Sequence, residues 1–123
     1  MSYAERHEVS VTTAADGSAT AYSPVVTGKV SQIRYVKTDF AAGVDFTITS
    51  EATGETIWTQ VNVDATVTVA PRQPTHDTAG VASLYAAAGT AVNDHICLAQ
   101  DRVKIFIANG GNAATGTFHI VME

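Results

Sequence analysis

A chain of 123 residues, 46% hydrophobic and only 15% charged, has the length of one domain with one buried core. Its net charge of −5, with seven Lys plus Arg scattered singly, leaves no basic stripe to neutralise a phosphate backbone and argues against direct nucleic-acid binding. The single cysteine, Cys97, removes any intrachain disulfide and any paired-cysteine zinc or redox motif.

The opening residues Met1 to Glu8 are charged where a secretory leader is apolar, and no run nears the roughly 18 apolar residues of a membrane span. Synthesis and folding are therefore expected in the cytoplasm, with no membrane partner. From His7 to Thr12 polar and apolar residues alternate up to the turn Asp16-Gly17, which reads as a strand. Residues 1–12 form either an N-terminal arm that adds a strand to a neighbour's sheet or an edge strand of their own domain. The arm reading makes Glu8, Val9 and Val11 candidate partner contacts.

Ala19 to Tyr22 is a second short strand, and Lys29 to Lys37 a third, with Ile33 and Tyr35 on one face and Gln32 and Arg34 on the other. Asp45 to Thr49 and Thr56 to Val61 flank Glu51-Ala52-Thr53-Gly54, a hairpin whose Gly54 supplies a positive φ in a bulged or three-to-five-residue connection. Asp64 to Val69 alternates Thr and Val until Pro71 and Pro74, which cannot donate to a central ladder. Over residues 79–88 the alanines favour a short helix, capped by Asp77 or Thr78 and ended by Gly89, above an extended loop.

His95 to Leu98, Arg102 to Ala108 and Thr117 to Met122 are further strands, the last two read as a hairpin. The loop between them, Asn109 to Gly116, is long and built from small residues, so it either projects to a partner or moves freely. Asn109, Gly110, Gly111 and Asn112 are therefore candidate partner contacts as well. The whole, residues 1–123, reads as a single all-β domain, an antiparallel β-sandwich or barrel-like fold with at most one short helix at about residues 79–88.

No catalytic, cofactor-binding or metal site is assigned. The Gly-rich run 110–116 is followed by a strand, whereas a phosphate cradle needs a helix N-terminus, and it lacks the lysine of a P-loop. His7, His76, His95 and His119 stand singly, at neither helical nor strand metal spacing. Cys97 in the run His95-Ile96-Cys97-Leu98 reads as a small buried hydrophobe, since residues two apart on a strand do not align a thiol with an imidazole. Asp39, Asp45, Glu51 and Glu55 surround the Val44 to Trp58 hairpin as ordinary solvated carboxylates. Trp58 anchors the core with Phe46 and Ile48; the competing reading is a sugar-stacking platform.

The strings Tyr22-Ser23-Pro24-Val25-Val26-Thr27-Gly28, Ile33-Arg34-Tyr35, Asp45 to Glu55, Ala70-Pro71-Arg72 and Asp101 to Ile105, with Gly110-Gly111 and Gly116-Thr117-Phe118, carry a resemblance. The chain from about Tyr22 onward resembles a family of small proteins encoded in the structural gene clusters of tailed bacteriophages and prophages. That resemblance implies a virion part without saying which. Among small β-rich virion proteins the favoured reading is a non-enzymatic capsid decoration (cement) protein, whose family role is to bind the outside of the shell and brace neighbouring capsomers, commonly as a trimer; the low-charge, net-acidic composition is compatible with it. Its implied partners are the major capsid protein and its own copies, and its implied location is the capsid surface, after synthesis in the bacterial host cytoplasm. A head-tail connector or tail-tube component is the alternative, and a surface-displayed carbohydrate-binding module the second.

Overall fold

In Val44–Ser50 every second side chain is buried, and the same two-residue period runs through Thr115–Met122 in the opposite phase. Strands of this kind present one apolar face each and need a second layer to cover it. The computed structural model, which describes residues 4–123, supplies that layer as a second sheet. The protein is an all-β antiparallel sandwich, with no helix among the described residues.

Its strands are β1 (Glu5–Thr12), β2 (Ala19–Tyr22), β3 (Val26–Val36), β4 (Val44–Ser50), β5 (Thr56–Val63), β6 (Val67–Val69), β7 (Arg72–Pro74), β8 (Asn93–Asp101), β9 (Val103–Ala108) and β10 (Thr115–Met122). The six-stranded sheet runs β1-β10-β3-β8-β7 with β6 also on β3, and the four-stranded sheet runs β2-β9-β4-β5. The long β3 gives one side to β10 and shares the other between β8 and β6. The hairpin of β4 and β5 forms as the sequence predicts, with Gly54 at φ 76 in its connection.

The core lies between the sheets. Phe46 sits 4.7 Å from Trp58, 5.2 Å from Phe118 and 5.3 Å from Tyr35, ring centre to ring centre, so aromatic rings from both sheets meet there. Ile33, Ile48, Ile105, Ile107 and Ile120 close around them, fully buried. Trp58 reaches this cluster from β5 half-buried, its indole Nε1 donating to Gln60 at 3.1 Å.

Three expectations are corrected. The last two strands are not a hairpin: β9 pairs with β2 and β4, β10 with β1 and β3, so residues 109–114 carry the chain from one sheet to the other. Residues 79–88 form no helix. Asp77 Oδ1 accepts from the N–H groups of Ala79 at 2.9 Å and Val81 at 3.1 Å, and Gly80 takes φ 81, so the residue expected to cap a helix closes a tight turn instead. Cys97 is exposed, because the period of β8 turns its neighbours Ile96 and Leu98 inward.

Candidate interaction surface

The residues predicted to touch partners fall in two places. β1 is an edge strand of its own sheet, paired along its whole length with β10 from Glu5 opposite Met122 to Thr12 opposite Thr115. Val9 and Val11 point into the core at 7% and 2% exposure, and only Glu8 of the three faces solvent. Their side chains are spent on this domain's own interior.

The Asn109–Asn112 loop is fastened rather than free. Gly110 is buried, donates to Gly17 O at 2.9 Å and accepts from Ala41 N at 2.9 Å. Thr13 Oγ1 donates to Gly111 O at 2.6 Å, and Asn109 donates to Asp45 at 2.8 Å. A side chain at Gly110 would meet Thr13 Cγ2 at 2.8 Å, so the backbone approach needs glycine there. Asn109 and Asn112 remain exposed and available to a partner.

Sequence reasoning missed the segment between β7 and β8. Thr75 N–H donates to Val92 O at 2.7 Å, while Ser83 donates to Thr75 O at 2.8 Å and accepts from Val92 N at 2.9 Å, so the base of this excursion is locked. Its outer part carries Val81, Leu84 and Tyr85 at 61%, 44% and 76% exposure. Three large apolar side chains on this flap, on either side of the pinned Ser83, meet water at a cost. Val81, Leu84 and Tyr85 stand at the i, i+3, i+4 spacing of a helical apolar face, so the local pattern gives no sign of their exposure.

A concentrated polar group lies at the C-terminal end of β4. Buried Asp101 accepts from the Ser50 hydroxyl through one oxygen, and through the other from Ala52 N at 3.0 Å and Arg102 N at 2.7 Å. Beside it Arg102 grips Glu51 with two nitrogens, one at 2.8 Å, and stacks its guanidinium 4.1 Å over the Tyr22 ring. Clefts of about 200 Å³ (floored by Ile57, Ile96 and Leu98) and about 290 Å³ (beside Val25 and Gln100) flank this corner. Both Asp101 oxygens are already occupied by the protein's own donors, so the corner's chemistry is that of a clamp holding the β4–β5 turn to the junction of β8 and β9.

The Ser50 hydrogen bond, then the backbone donors, hold Asp101 below the ordinary carboxylate range against the opposing pull of burial; the Arg102 hydrogen bond does the same for Glu51. A carboxyl depressed in the folded state contributes stability that is complete above its unfolded value, near pH 4, and is lost as pH falls through the folded value. Asp16 and Asp94 are depressed for the same kind of reason, by hydrogen bonds from Ser18 and His95. Urea unfolding should therefore show a midpoint that drops between pH 5 and pH 2, and Asp101→Asn should lower it at pH 7 while flattening that drop. An unchanged slope in the variant would count against the clamp.

The histidines are dispersed. His7 lies on the inward side of β1 with Nε2 3.5 Å from Glu5 Oε2 and no hydrogen-bond partner; His119 points outward between Glu8 and Arg34 on neighbouring strands. His95 sits 2.9 Å from Glu123 and 3.3 Å from Asp94, and His76 bridges to Ala82 at the flap base. Among the described residues no three of His, Cys, Asp and Glu come together as metal ligands. Of the carboxylates read as solvated, Asp39 accepts from Thr115 N and fastens its loop to β10, and Asp45 accepts from Asn62 N at 2.8 Å across the β4–β5 pair. Neither family models, curated proteins nor solved structures give a match to this chain.

Proposed function

We propose that this chain is a non-enzymatic structural protein of a tailed-bacteriophage virion, binding the outside of the capsid shell as a decoration protein and bracing neighbouring capsomers. The virion setting rests on the resemblance carried by the strings between Tyr22 and Phe118. The structural observation that supports a binding role is the flap, whose locked base presents Val81, Leu84 and Tyr85 to the outside. Exposed apolar side chains beside a locked backbone suit a protein partner, because burying them releases water and orders little chain. Each copy contributes a modest contact with the major capsid protein, and symmetry repeats it over the shell, so weak contacts oppose shell opening together.

The test is co-sedimentation with empty shells assembled from a major capsid protein of the genome that carries this chain. Wild-type protein should pellet with shells at on the order of hundreds of copies per particle. The triple variant Val81→Ser, Leu84→Ser, Tyr85→Ser should keep its fold and stay in the supernatant. A stoichiometry of about six to twelve per virion would replace this reading by a ring component of the connector or tail. Full binding by the triple variant would remove the flap from the contact.

A further inference from the structure

β1 ends the six-stranded sheet, and among the described residues the backbone partners of Glu5–Thr12 lie on β10 alone. Its residues alternate in aiming N–H and C=O groups toward β10 and toward the open side, so every second residue offers an unpaired donor and acceptor outward. The strand has eight residues, no proline and no bulge in its register with β10. These are the properties that let an edge accept another strand.

We propose that the open side of β1 pairs with β1 of a second copy of this chain, antiparallel about a two-fold axis through His7, joining two six-stranded sheets into one. The occupant follows from the charge pattern. In a two-fold antiparallel pair, residues directly opposite each other share a face, so Val9 and Val11 stay inward only in registers that pair even with even and odd with odd positions. Centring on His7 sets exposed Arg6 of each copy opposite exposed Glu8 of the other, two opposite-charge pairs in one contact. Moving the centre to Arg6 sets arginine against arginine, and moving it to Glu8 sets glutamate against glutamate. Centring on Val9 gives no charge pair at all. The register about His7 is thus the one the strand's own charges select, with repulsive registers on either side.

A second observation agrees with it. His7 Nε2 is buried without a hydrogen-bond partner, and the axis brings the two His7 rings together on the inward face, within cross-strand reach of each other. The contact yields a dimer, whereas the phage resemblance implies a trimer, and it stands independently of the virion reading.

The experiment is sedimentation velocity of the full chain across a concentration series, with thermal unfolding as the check on each fold. Wild type should dimerise. Glu8→Arg sets arginines face to face and Arg6→Glu sets glutamates face to face, and each should weaken dimerisation about tenfold or more. The double variant Arg6→Glu, Glu8→Arg restores opposite charges in the same register and should recover dimerisation to within about threefold of wild type. Because the two single variants change different residues, a folding defect in one leaves the other decisive. A wild type that stays monomeric at about 100 µM, or a double variant no tighter than the singles, overturns the proposal.

Discussion

Replacing Phe46 by alanine should lower the unfolding free energy by about 4 kcal/mol, the range for removing a buried phenylalanine. Phe46 is 1% exposed and touches Tyr35 and Phe118 of the other sheet as well as Trp58 of its own. Those neighbours are fixed by strands on both sides, so the space left behind closes poorly and most of the cavity term persists. For a domain whose total stability is about 5–15 kcal/mol, the loss should lower the melting temperature by roughly 15 °C. Urea unfolding followed by Trp58 fluorescence measures it as a lower midpoint at unchanged slope. A loss below about 2 kcal/mol would mean that the two sheets relax toward each other.

Gly116→Val should also destabilise, by about 3 kcal/mol, although valine is the better strand former. Gly116 occupies an inward position of β10, and a Cβ there would lie 2.7 Å from Phe40 Cδ2 and 2.9 Å from Cζ. The Phe40 ring is 2% exposed and stacks on Tyr35 at 6.0 Å, so it has no free space into which to swing. Phe40→Ala in the Gly116→Val background should recover part of the loss, because the side chain of one then fills the space of the other. A single variant as stable as wild type would show that the ring moves freely.

How far the sequence carried depended on the range of each interaction. The β4–β5 hairpin was legible because its period, its aromatic pair and Gly54 lie within one local stretch. β9 and β10 were equally legible as strands, yet their pairing was not. Neighbouring strands joined by a small-residue loop suggest a hairpin, whereas the residues that pull this loop across the sandwich, Thr13, Gly17 and Ala41, sit far earlier in the chain. Cys97 was legible in retrospect: the alternation of β8 buries Ile96 and Leu98 and so exposes the residue between. The same rule applied to β1 places Val9 and Val11 in the core and leaves Arg6 and Glu8 outside, so the partner signal there lay in the charges and the open backbone, not in the valines. At 79–88 helix propensity lost to the Asp77 turn, a local competition that composition does not weigh.

The pairing of β1 with β10 has a consequence for how the molecule comes into being. The first strand of the larger sheet is completed by β10, with about a hundred residues between them, so this sheet closes only once β10 has been synthesised. At ribosomal rates of about 5–20 residues per second, β1 waits roughly 5–20 seconds for its partner. During that interval both of its backbone edges are open, and Val9 and Val11 are uncovered. The alternating charges Glu5, Arg6 and Glu8 then have an earlier task, holding the nascent strand in water until β10 arrives.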